Sequence, residues 1–181
     1  MTSQIPEPKE HSLAPDEKIS RIMVYTPNNL IRGEVITKQI IRVSTWLRST
    51  MAPHHLYLHN AQVLILGNAG SPQTLSLSEF IIPVSLVTAY HLVLPAQDPM
   101  DYDANEPNRK MEAATLFIGS FRFKGYIRIS SQSTIEKHLD ISKEPFMSFY
   151  DVEITNPSIP AMATIKAPLA LFRQNSVMVG K

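Results

Sequence analysis

The 181-residue chain contains no cysteine. That single absence removes a disulfide framework, thiolate zinc sites, iron–sulfur ligation and a cysteine nucleophile together. Any metal would need histidine or carboxylate ligands. Glycine is scarce, six in all, and neither a Walker loop nor a dinucleotide-binding glycine pattern occurs. No apolar run approaches the roughly 18 to 20 residues of a membrane-crossing helix. The segment from Met1 to Lys18 holds Pro6, Pro8 and Pro15 among polar residues and lacks the basic-then-apolar order of a secretory signal. The cytoplasm is therefore the expected location, and no membrane role is expected. Neither sign of charge prevails, with 17 basic residues against 16 acidic ones. Attraction to phosphate through the whole-chain field is weak, so nucleic acid is a minority partner.

What is present is an internal echo. From Pro95 to Glu112 the chain reads PAQDPMDYDANEPNRKME, a composition that buries too little apolar surface to offset the entropy of ordering it, and a mobile, solvated connection is expected there. On either side lie segments of one design. Ile22 to Tyr25 lead through Pro27-Asn28-Asn29 to Leu30 to Ile36, which reads as strand, turn, strand. Leu116 to Ile118 lead in the same way through Gly119-Ser120 to Phe121 to Ile127. Arg32-Gly33 and Lys124-Gly125 then coincide at a spacing of 92.

Short helical segments follow, at Val43 to Leu47 and at Ser133 to Leu139, where Ser133 and Glu136 have capping-box spacing and Ser44 is a candidate cap. Leu56 to Val63 then match Met147 to Ile154 class for class. Both runs alternate apolar and polar residues, break phase at Asn60 or Asp151, and resume on the other parity, as a bulge requires. Finally Phe80 to Val87, with Pro83, is matched to Thr164 to Phe172, with Pro168, which places a six-residue loss in the preceding loop.

These matches predict a mainly β protein: a flexible tail over 1–19, a first small barrel repeat over 20–94, an acidic proline-containing linker over 95–112 and a second repeat over 113–181. Each repeat is expected to hold about five strands and one short helix, the size of a minimal SH3/Sm-like barrel. The residues Val24, Asn28, Asn29, Arg32, Gly33 and Val35, the later Leu56-x-Leu58-x-Asn60-Ala61, and Ile82 to Val87 together resemble the strand order of Sm-like small barrels. That family's base-clamping Asp/Asn turn and arginine-glycine turn are not matched, so the resemblance implies a fold without its RNA signature. Val43-Ser44-Thr45-Trp46-Leu47 and the Leu56 to Asn60 run are also similar to uncharacterised bacterial barrel domains of unknown function.

Few residues suggest chemistry. On a strand, His55, Tyr57 and His59 share one face beside His54, but no accompanying ligand set makes them a metal site. No GxSxG elbow is present, and His91 and His138 are isolated. Asp101 and Asp103 sit in the linker, where solvation is expected. A cyclic-dinucleotide barrel would show RxxxR and DxSxxG; the latter only begins, at Asp140-Ile141-Ser142. The recurring basic residues Arg32 and Lys124 are the one candidate binding pair, suited to phosphate. No catalytic set, cofactor or metal is expected. The reading is a non-enzymatic tandem binding or assembly module that contacts a protein partner or another copy of itself. The alternative is a nucleotide- or RNA-binding regulatory protein using a basic barrel edge at Arg32 and Lys124. A third, hydrolytic reading would need a pocket containing His55 or His59.

Overall fold

The computed structural model describes residues 12–66 and 72–181, so most of the expected tail and part of the loop after Ile65 lie outside the described residues. The chain forms β1 (Glu17–Tyr25), β2 (Asn29–Lys38), a 3₁₀ turn (Val43–Arg48), β3 (His55–Ile65), β4 (Gln73–Pro83), a 3₁₀ turn (Val84–Leu86) and β5 (Ala89–Leu92). It continues with β6 (Arg109–Ile118), β7 (Phe121–Ser130), α1 (Ile135–Ile141), β8 (Met147–Thr155), β9 (Ile165–Phe172), a 3₁₀ turn (Gln174–Ser176) and β10 (Met178–Gly180).

All described strands join one antiparallel sheet in the order β10-β6-β7-β8-β9-β5-β1-β2-β3-β4. Each half therefore repeats the same local order, fifth strand, first, second, third, fourth. The expected closure into two barrels does not occur. The reason lies in β5: one side of it pairs with β1 and the other with β9, in the register Ala89↔Phe172, Tyr90↔Leu171 and His91↔Ala170. Its hydrogen-bonding edges are both taken, and none remains to close onto β4.

The predicted hairpins and bulges are present. Thr26 accepts from the Asn29 amide at 3.1 Å to close the β1–β2 turn. Between the pairs Arg32↔Gln62 and Glu34↔His59, β2 spends one residue and β3 two. The same count separates Lys124↔Glu153 from Tyr126↔Tyr150. The extra residues, Asn60 and Asp151, both have φ of 49°, a left-handed conformation that Asn and Asp tolerate better than most side chains.

Two expectations fail in detail. The registers Leu77↔Ala61 and Ala167↔Val152 place Leu77 and Ala167 in equivalent positions, 90 apart. Pro83 therefore corresponds to Arg173 rather than Pro168, and the six-residue loss disappears. The helix cap is Thr134, which accepts from the Lys137 amide, rather than Ser133. In the first half the amide of Ser44 is satisfied from outside by Asp98 Oδ2 at 2.8 Å, and the segment winds as 3₁₀.

The alternating burial of each strand builds two apolar clusters, and each borrows from the other half. Phe146, Tyr150, Leu169 and Leu171 complete the first cluster, while Tyr25, Leu30 and Ala89 enter the second. At about 1.5 to 3 kcal/mol for each large side chain removed from water, these borrowed residues fasten the halves together. Neither half has a complete core alone.

Candidate functional site

Arg32 and Lys124 occupy equivalent places, each exposed on the second strand of its half and followed by the glycine at the bulge. The glycines have a structural cause. A Cβ on Gly33 would lie 3.1 Å from the Leu58 Cβ, and one on Gly125 would lie 2.6 Å from the Tyr150 carbonyl oxygen. Each basic residue lines its own depression. That of Arg32, about 270 Å³, is shared with Arg21, Glu34 and Asn60. That of Lys124, about 480 Å³, is shared with Asp151, Glu153 and Lys181. Acids and bases are mixed in both, so neither selects strongly for an anion. Four strands separate β2 from β7, and the two basic residues do not meet in one site.

The histidines of β3 do share the outer face, with buried Leu56 and Leu58 alternating between them. The cross-strand neighbours on β4 are Pro83 for His55 and Glu79 for His59, with Ile81 opposite Tyr57 between them. Among the described residues no three His, Asp or Glu side chains gather in a way that could hold a metal ion. No described helix is long and apolar enough to cross a membrane.

The best-organised polar site lies elsewhere, where the connecting segment meets both halves. Asp101, expected to be solvated, has a side chain only 6% exposed. Its Oδ2 accepts from Arg48 Nη2 at 2.9 Å and from Ser148 Oγ at 2.6 Å, and its Oδ1 accepts from the Tyr150 hydroxyl at 2.8 Å. Burial alone would raise this carboxyl. The hydrogen bonds from Ser148 and Tyr150, with the charge of Arg48, outweigh it and hold the carboxyl below its ordinary value. Next in the chain, Tyr102 sets its ring edge-on to Tyr150 at 5.0 Å, and the Arg128 guanidinium stacks 4.7 Å above it. The segment read as a mobile connection is thus tied to the 3₁₀ turn Val43–Arg48, to β7 and to β8.

A second clamp closes the joint between β5 and β9. Arg173 donates to the carbonyls of Val87 at 3.1 Å and Val84 at 2.7 Å, and its guanidinium lies 4.5 Å over the Phe146 ring. Neither clamp was visible in the sequence, because the partners of Asp101 stand 47 to 53 residues away and those of Arg173 86 to 89 away. The only local hint was an aromatic residue, Tyr102, set among acids. These groups are saturated by one another and leave no nucleophile beside a free base. No family model matches the chain, and neither a curated protein nor a solved structure matches it.

Proposed function

We propose that this chain is a non-enzymatic cytoplasmic assembly or binding module, made of two copies of one small unit, whose surface takes a strand from a protein partner or from another copy of itself. The kinship of each half with SH3/Sm-like small domains belongs to the same reading. It is supported by the repeated strand order and by the helical segment after each second strand.

One observation carries the proposal: β4 is an eleven-residue edge strand with Glu79 as its single charged residue. Among the described residues it has a sheet neighbour on one side only. Leu75 and Ile81 are 47% and 55% exposed there. A long edge so poor in charge is a template for strand addition, because an added strand would pair with its backbone and pack against side chains such as Leu75 and Ile81.

The test is a Leu75→Lys/Ile81→Lys variant, which places charges on the edge without touching buried positions. Wild type should associate with itself or with a protein recovered from cell extract, and the variant should lose that association while keeping its melting temperature. A monomer that recovers no partner and hydrolyses a generic substrate overturns the reading. The rival, phosphate recognition at Arg32 and Lys124, is supported only by recurrence of the residues; labelled RNA and nucleotides at low salt should show no binding.

A further inference from the structure

Each half carries one strand of each type used in the internal joint, and only one of each is consumed there. The joint pairs the fifth strand of the first half, β5, with the fourth strand of the second, β9. What remains at the two ends of the sheet is the complementary pair: β4, the fourth strand of the first half, and β10, the fifth strand of the second. Resting on the assembly reading above, we infer that the occupant of the β4 edge is β10 of another copy of this chain, in the register already used inside it.

The register can be written down. β5 meets β1 through Tyr25↔Ala89, and β10 meets β6 through Phe117↔Met178, so Ala89, Tyr90 and His91 correspond to Met178, Val179 and Gly180. Likewise Leu56↔Ile82 corresponds to Met147↔Phe172, so Phe172, Leu171 and Ala170 correspond to Ile82, Ile81 and Phe80. The contact between copies therefore pairs Met178 with Ile82, Val179 with Ile81 and Gly180 with Phe80.

Exposure marks two of these residues, Ile81 and Met178. Leu171 is fully buried in the internal joint, whereas its counterpart Ile81 is 55% exposed; Ala89 is fully buried, whereas its counterpart Met178 is 68% exposed. The 3₁₀ turn Val43–Arg48 of the half that supplies β5 packs against β9. Its counterpart α1, in the half that supplies β10, presents Ile141 at 72% exposure. Apolar groups thus stand ready on both sides of a joint that the fold has built once.

One feature makes the contact between copies weaker than the internal one. Pro83 stands where Arg173 stands, so the guanidinium clamp is missing. Association is therefore reversible and depends on concentration. The contact is head-to-tail, so it closes into a ring or continues as an open chain according to the rotation per copy.

The absence of cysteine makes the test clean. Two single-cysteine proteins, Ile81→Cys and Val179→Cys, are oxidised separately and as a mixture, with Glu79→Cys replacing Ile81→Cys as the out-of-register control. Cross-linked dimer is expected in the Ile81→Cys and Val179→Cys mixture and at much lower yield in the control mixture. Light scattering of the uncross-linked wild type should show mass rising with concentration, and Ile81→Lys should weaken that association by at least about tenfold, since it puts an ammonium where the joint holds hydrocarbon. Dimerisation of Ile81→Cys with itself, or equal yields in and out of register, overturns the inference. A wild type that stays monomeric while β4 amides become protected by a different protein also overturns it, and that outcome leaves the assembly reading standing.

Discussion

Asp101 accepts a hydrogen bond from the Tyr150 hydroxyl at 2.8 Å, across the boundary between the connecting segment and the second half, while its other oxygen holds Arg48 of the first. One carboxylate thus fixes three parts of the chain that are distant in sequence. Removing it leaves Arg48, only 25% exposed, without its closest counter-charge and two hydroxyls without their acceptor.

Asp101→Ala should accordingly lower unfolding free energy by about 2 to 4 kcal/mol in urea titrations near neutral pH, below the roughly 3 to 5 kcal/mol for breaking a fully buried pair because Arg48 keeps some contact with water. The folded carboxyl lies below its ordinary value of 3.8, so its contribution is complete above that value and is lost as pH falls through the folded one. The gap between wild type and variant should narrow under strongly acidic conditions, where the carboxyl is protonated in the folded chain. A difference that stays constant down to low pH would show that Asp101 acts through packing and not charge.

His91 supplies a second, separate pH response. It is 2% exposed in β5, with Nδ1 2.7 Å from the Leu92 carbonyl and Nε2 3.1 Å from the Tyr25 hydroxyl. The carbonyl can only accept, so Nδ1 carries the hydrogen and Nε2 accepts from Tyr25; the ring is neutral. Burial pushes its pKa from 6.5 down to about 4. The unfolded chain takes up a proton as pH falls below 6.5, while the folded chain takes none until about 4. Stability is therefore full above 6.5, declines through this window by at most about 3 kcal/mol, and levels off below it. His91→Phe should flatten that decline in thermal melts at pH 7, 6, 5 and 4; an unchanged slope would reject the assignment.

The contrast between what was legible and what was not follows from the range of each signal. The bulges at Asn60 and Asp151 were readable because alternation changes phase within a single strand. The hairpin at Gly119-Ser120 was equally local. The match of Pro83 to Pro168 misled because both lie in apolar β-prone runs, where sliding by five residues preserves the chemical pattern; only the ladders Leu77↔Ala61 and Ala167↔Val152 fix the register. The pairing of β5 with β9 is specified by no local pattern, and it is what turns two expected barrels into one sheet. The composition of residues 95–112 spoke truly of polarity, but it could not reveal that Asp98 and Asp101 have partners in the folded halves.

Gly119 tests the contact between the two hairpin turns. Its φ is +56°, and a Cβ built there would stand 2.5 Å from the carbonyl oxygen of Pro27 in the β1–β2 turn. Gly119→Ala combines a left-handed backbone penalty of about 1 to 2 kcal/mol with an overlap against backbone that cannot swing aside. A loss of at least about 2 kcal/mol is expected. Gly180→Ala is the control, since its Cβ would meet nothing closer than 3.6 Å, and it should stay within about 0.5 kcal/mol of wild type. Equal effects in the two variants would contradict the close approach of the turns.

Arg173 decides how tightly the halves are held, because its guanidinium reaches across the joint to the carbonyls of Val84 and Val87. These acceptors stand at the start and just past the end of the 3₁₀ turn that leads into β5, so the clamp fixes where β5 begins. Arg173→Ala leaves the carbonyls without their charged donor and strips the cation from the Phe146 face. A cost of about 2 kcal/mol is expected, from the range for hydrogen bonds to charged groups. Arg173→Lys should recover little, since one ammonium cannot reproduce the fork that engages both carbonyls. The loss should be local: amides of β5 and β9 should exchange faster in the variant, while those of β2 and β7, in the middle of each half, should keep their rates. If exchange accelerates uniformly across all the strands, the guanidinium stabilises the whole fold and the joint is not a separable element.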